Sequence, residues 1–181
     1  ILATAGGMSL RFHESELRDQ GRATRGVRGI NLDKDDKLVG LDIVDARSTF
    51  LVCTEHGYGK RTEFAEYRSQ HRGGRGLMTI KTSDRNGRII SAHSVRDRDS
   101  LMLITAQGKM IRINASDIRV ISRVTQGVRL IDLDEGDSLV SATTVAPEEA
   151  ELPENDTPAE GSGPGTPAAP EAPKPDQPGA S

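Results

Sequence analysis

Apolar residues recur along residues 1–145 in short alternating runs, and the whole pattern repeats after 50 and then 51 residues. Each unit opens with a β-prone run, at Ile1–Thr4, Phe50–Thr54 and Leu101–Thr105, and then reaches a glycine at Gly7, Gly57 or Gly108. A second strand follows, carrying Arg11, Arg61 or Arg112, and leads into an acid–apolar–arginine triplet: Glu16-Leu17-Arg18, Glu66-Tyr67-Arg68 or Asp117-Ile118-Arg119. A polar loop then ends at Gly26, Gly76 or Gly127, with an isoleucine four residues later at Ile30, Ile80 or Ile131. A turn (Asp33–Asp36, Asp84–Gly87, Asp134–Asp137) precedes a last strand at Leu38–Val44, Ile89–Val95 or Leu139–Val145. Strand-length runs, hairpin chemistry such as Asn86-Gly87 and the lack of helical periodicity predict an all-β chain.

A period near 50 residues with four short strands per unit predicts propeller-like blades, about 1–49, 50–100 and 101–145. A single twelve-stranded sandwich would not demand the same residue types every 50 positions. Three blades do not close a ring, and the chain opens without Met inside a strand, so the expectation is three blades of a larger disc.

Composition changes the picture at one boundary. All nine prolines lie from Pro147 onward, and residues 146–181 form an acidic Pro/Ala/Gly-rich tail read as disordered. The tail holds eight acids and one base, whereas residues 1–145 hold 23 bases, 18 of them arginine, against 19 acids. The body is therefore basic although the chain as a whole is at −3. At −7 the tail is expected to compete with a polyanion for the body, so deleting 146–181 should strengthen such binding at low ionic strength. Cys53 lies in an apolar run and reads as a small core residue. No stretch is apolar for the length that spans a bilayer, and no membrane partner is expected.

Recurrence separates residues the fold needs from those it tolerates. Arginines occupy equivalent positions at Arg11/Arg61/Arg112, Arg18/Arg68/Arg119 and Arg22/Arg72/Arg123, and Arg25/Arg75 share a position held by Gln126 in the third unit. A guanidinium is a planar donor fork suited to phosphate, so this set, with Lys60 and Lys109, is the candidate phosphate-clamping rim. The competing reading pairs each arginine with the acid of its own triplet, Glu16, Glu66 or Asp117. The loop Gln70-His71-Arg72-Gly73-Gly74-Arg75-Gly76 adds three glycines that allow close approach of backbone to phosphate. Gly57-Tyr58-Gly59-Lys60-Arg61-Thr62 is a blade turn, not a nucleotide loop, because a strand follows it. The acidic turns lack calcium-loop spacing and the four histidines are scattered, so no metal site is expected and no catalytic residue is assigned.

The loop Gln70–Gly76 resembles the seven-residue gyrase box, Gln-Arg-Arg-Gly-Gly-Lys-Gly, with His71 and Arg75 as replacements. Residues 1–145 resemble the last three blades of the C-terminal β-pinwheel of DNA gyrase A, notably over Thr62–Gln70 and Thr125–Val128, and an acidic tail fits the same family. The resemblance implies sequence-nonspecific binding and wrapping of duplex DNA, in support of ATP-dependent negative supercoiling by a bacterial type II topoisomerase. It also implies a parent assembly of two gyrase A and two gyrase B polypeptides (A2B2), with ATP and Mg2+ used outside this piece, catalysis elsewhere, and a place on the chromosome in the cytoplasm. In the family the box belongs to an early blade, so Gln70–Gly76 is read as a box-like loop of a late one. The alternatives are the corresponding C-terminal domain of topoisomerase IV and a protein-interaction β-propeller.

Overall fold

A computed structural model describes residues 1–145; the tail assigned as disordered lies outside the described residues. Eleven strands occur in chain order: β1 (Leu2–Thr4), β2 (Met8–Leu10), β3 (Leu38–Leu41), β4 (Thr49–Thr54), β5 (Tyr58–Glu63), β6 (Leu77–Met78), β7 (Ile89–Val95), β8 (Ser100–Thr105), β9 (Met110–Asn114), β10 (Val128–Arg129) and β11 (Leu139–Val145). They form three antiparallel sheets in the orders β3-β1-β2-β6, β7-β4-β5-β10 and β11-β8-β9. Single 3-10 turns at Glu14–Glu16, Phe64–Glu66 and Ala115–Asp117 follow the second strand of each unit. Among the described residues no helix is long and apolar enough to cross a membrane.

The blades are not the sequence repeats. Each repeat builds three strands of its own sheet, and the second and third each pass a further strand to the sheet before them. Thus β6 pairs with β2 (Met8 opposite Met78), and β10 pairs with β5 (Tyr58 opposite Arg129). The first two sheets have four strands and the third has three among the described residues. The last strand of the first unit is also shorter than Leu38–Val44, ending at Leu41, because its partner β1 offers only three residues.

Strand alternation explains the core. Along β4, Phe50 and Val52 point into a cluster shared with Ile1 and Ala3 of the first sheet, while Leu51 and Cys53 join Leu101 and Leu103 of the third. A fully sandwiched strand is therefore apolar at successive positions, as 50–53 are. Phe50, Phe64 and Tyr67 pack as an aromatic trio with centroids 5.5–6.5 Å apart, edge to face for Phe50 and Tyr67. Cys53 is fully buried and burial pushes its thiol up to about 12. Asn86, also fully buried, secures the Asp84–Gly87 turn: its side chain accepts from the Ser83 amide (2.8 Å) and donates to the carbonyls of Lys81 and Gln126 (both 3.0 Å).

Candidate nucleic-acid interface

Where the arginines of the second strand go is decided by the hand-over between repeats. Arg11 donates through Nη1 to the carbonyls of Phe64 (2.9 Å) and Tyr67 (3.3 Å), at the 3-10 turn of the next repeat. Arg61 repeats the contact, donating through Nε to the Ile118 carbonyl (2.9 Å) and through Nη1 to Asp97 (2.5 Å). These carbonyls lie at a turn packed between blades, and a guanidinium satisfies them. Lys60 does the same work one residue earlier, its ammonium donating to the carbonyls of Ser122 (2.6 Å) and Arg123. Desolvation lowers the Lys60 ammonium to about 8, with Glu66 opposing that shift and Arg123 adding to it.

The structure places Lys60 and Arg61, expected on the rim, in the interior as braces between repeats: both are buried. Arg11 is half-buried and committed to the same role.

Arg72 and Arg123 brace in the opposite direction, toward the preceding repeat. Arg72 donates to the carbonyls of Glu16 (3.3 Å) and Arg28 (3.1 Å), and its amide donates to the Glu16 carboxylate (3.0 Å). The Arg123 amide donates to the Glu66 carboxylate (3.0 Å); its guanidinium donates to the Met78 carbonyl (2.9 Å) and lies over the Tyr67 ring (5.9 Å). Glu16 and Glu66 thus cap the loop of the following repeat and leave the arginines of their own triplets free, which overturns the pairing within a triplet.

The box-like loop is packed against the first blade. Gln70 donates its amide to the Arg11 carbonyl (2.8 Å), Gly73 to Gly29 (2.6 Å), and the Gly74 carbonyl accepts from Asn31 (2.8 Å). Gly76, at φ +80, faces the Ser9 carbonyl so closely that a Cβ would strike it. Gly76 thus lets one strand of backbone cross another, a use that does not require a phosphate. Exposed on this loop are His71, 3.4 Å from Glu16, and Arg75, which donates to Asp33 (2.8 Å).

What faces solvent is a smaller set. Arg18, Arg68 and Arg119 are exposed at equivalent positions immediately after the three 3-10 turns, and none makes a side-chain hydrogen bond or ion pair among the described residues. Arg22, Arg25 and Arg112 are exposed and free in the same sense, whereas exposed Lys109 is held by Asp134 (2.9 Å).

Sequence reasoning missed Arg85 and Arg129. These exposed residues flank Tyr58 with guanidinium carbons 5.1 and 5.7 Å from its ring centroid, and both donate to its hydroxyl (3.4 and 3.3 Å). The bonds from Arg129 and then Arg85 hold the phenol below its ordinary range. The sequence signal was partial: Arg28 and Arg129 occupy one repeat position, but Met78 stands between them.

The family described as the DNA gyrase C-terminal domain, beta-propeller, matches residues 1–45, 48–96 and 99–146, one stretch per repeat. The DNA gyrase A protein of Aminobacterium colombiense is 42% identical over 151 residues, which cover 83% of this chain and 18% of that protein. The Chlamydia pneumoniae protein of the same name is 44% identical over 142 residues, 78% of this chain and 17% of that protein. The chain thus spans under a fifth of the length of these curated relatives. Among solved structures, the C-terminal domain of a DNA topoisomerase IV has a TM-score of 0.75 at 28% identity, and a DNA gyrase A C-terminal domain 0.71 at 26%. Each match covers 80% of this chain, and 45% and 50% of those chains respectively.

Proposed function

The chain belongs to the DNA gyrase C-terminal domain family, and from that premise we propose that residues 1–145 bind duplex DNA along the rim carrying Arg18, Arg68 and Arg119. The observation that carries the reading is the recurrence of an exposed, unpaired arginine at one position in every repeat. A guanidinium already committed to a carboxylate or carbonyl gains little from phosphate, whereas a free one exchanges only water and counterions. Among the described residues the rim has no helix or ribbon to enter a groove, so it reads backbone, and sequence preference is weak. Following the backbone from blade to blade bends the duplex, and in a longer parent this wrapping supports supercoiling. In that parent we place two gyrase A and two gyrase B polypeptides together, with ATP and Mg2+ used outside this domain.

Binding titrations on two duplexes of unrelated sequence at several salt concentrations test the reading. With about six to ten phosphate contacts, affinity falls by roughly 10³–10⁵ between 50 and 200 mM salt, and Arg68→Ala lowers the salt slope by about one without changing thermal stability. A flat salt dependence sinks the proposal. Ligating nicked plasmid in the presence of the chain tests wrapping separately, because a wrapped duplex closes with a changed linking number and an unwrapped one does not. The topoisomerase IV reading shares the same rim and predicts binding with little linking-number change.

A further inference from the structure

We propose that Asn86-Gly87 is a deamidation site gated by the junction between the second and third repeats, and that the modification, once made, keeps that junction from closing again. Asn-Gly is the pair in which this chemistry runs most readily, because glycine has no side chain to hinder attack on the neighbouring carboxamide. The Gly87 nitrogen attacks Cγ of Asn86, a C–N bond forms, and the side-chain nitrogen leaves as ammonia, carrying off the proton that Gly87 gives up. Water then opens the succinimide ring to aspartate or isoaspartate, so the net change is one water consumed and one ammonia released.

The packing asks for both members of this labile pair. Gly87 stands at φ +73, and a Cβ there would lie 2.8 Å from the Glu55 Cβ, so backbone and space both exclude a side chain. Asn86 is fully buried and satisfied at each end. Its Oδ1 accepts from the Ser83 amide (2.8 Å) and hydroxyl (3.1 Å), and its Nδ2 donates to the carbonyls of Lys81 and Gln126 (both 3.0 Å). A carboxamide supplies two donors and an acceptor oxygen at this length, whereas the isosteric carboxylate only accepts.

The closed junction withholds both reacting groups. The attacking Gly87 amide donates to the Ser83 carbonyl (2.8 Å), and the leaving nitrogen is held by two carbonyls, one of them in the third repeat. There Gln126 also donates to the Ser83 hydroxyl (3.3 Å), and the Thr125 carbonyl accepts from the Lys81 amide (2.9 Å). Freeing Asn86 therefore means parting the 81–87 segment from residues 125–126, a local opening that leaves the β4 core in place.

After the reaction the same contacts cannot be remade. An ionised carboxylate at residue 86 meets the Lys81 and Gln126 carbonyls with no donor, in a site without exposure. Protonated, it has one donor for two carbonyls. Isoaspartate adds a backbone atom to a turn that is fixed by the Asn86 amide on the Ser83 carbonyl (3.2 Å) and the His56 amide on the Asn86 carbonyl (3.1 Å). A transient opening becomes a permanent one, at the junction between the repeats that carry Arg68 and Arg119.

Peptide mapping by mass spectrometry on the 181-residue chain, held at mildly alkaline pH without DNA, reads the amide-to-acid conversion at residue 86. In the native chain conversion should be at least about tenfold slower than in concentrated urea, where the pair is unprotected; equal rates overturn the proposal. In low urea, below the main unfolding transition, the rate should climb while Cys53, fully buried in β4, stays closed to an alkylating reagent. Residue 86 and Cys53 reacting in step would mean that only global unfolding exposes the site, and overturns the gate. Asn86→Asp carries the product's charge on an unaltered backbone and should melt at a lower temperature than the unsubstituted chain. Unchanged melting overturns the lock. Should that variant fail to fold, chain deamidated in low urea and returned to buffer is melted beside untreated chain for the same comparison.

Discussion

Replacing Arg61 by alanine should unfasten the second blade from the third and leave the DNA-facing rim in place. The substitution removes two buried methylenes, worth about 1.6 kcal/mol at roughly 0.8 kcal/mol each. The Ile118 carbonyl loses the Nε donor at 2.9 Å in a site where Ile118 is 2% exposed, which costs about 1–2 kcal/mol more. The Asp97 ion pair adds little, because the Asp97 side chain is 82% exposed and water replaces its partner. The sum is about 3 kcal/mol, or a fall in Tm of roughly 8–12 °C for a body of this size. Because neighbouring blades stabilise each other through their junctions, the melt should also broaden. Differential scanning calorimetry measures this, and DNA binding at about 15 °C, below the transition, should stay within about twofold of the unsubstituted chain. A variant that melts like the unsubstituted chain while losing DNA affinity would return Arg61 to the rim and refute the brace.

Lys60 makes stability depend on pH. Below pH 8 folded and unfolded states both hold the proton and the burial cost is fully present. Between about 8 and the ordinary lysine value of 10.5 only the unfolded chain holds it, so stability should climb by on the order of 1 kcal/mol per pH unit. Urea midpoints at about pH 7.5, 9 and 10.5 should therefore rise relative to those of Lys60→Met, and parallel trends in the two proteins would contradict the assignment. Cys53, buried and with its thiol near 12, should resist alkylation at about pH 8 in the native chain and react fully in urea, which mass spectrometry reads directly; rapid native labelling would mean that the β4 core opens.

The repeat, the strand runs and the turns were legible in the sequence because each rests on local or periodic constraints. A glycine every 50 residues marks a backbone that must turn or be approached, and the apolar run Phe50–Cys53 marks a strand covered on both faces. Arginine recurrence was legible too, but its meaning was not. Arg61 and Arg68 recur equally well, yet one is an interior brace and the other is exposed on the rim. That difference depends on which carbonyls the next repeat brings within about 3 Å, a contact across 57 residues for Arg61 and Ile118. The transfer of β6 and β10 to the preceding sheet was hidden for the same reason. Periodicity specifies that a strand exists, whereas its partner is chosen by the packing of one repeat on another. Only the tertiary structure showed that Gly76 of the Gln70–Gly76 loop serves a backbone crossing and that the third sheet has three strands among the described residues.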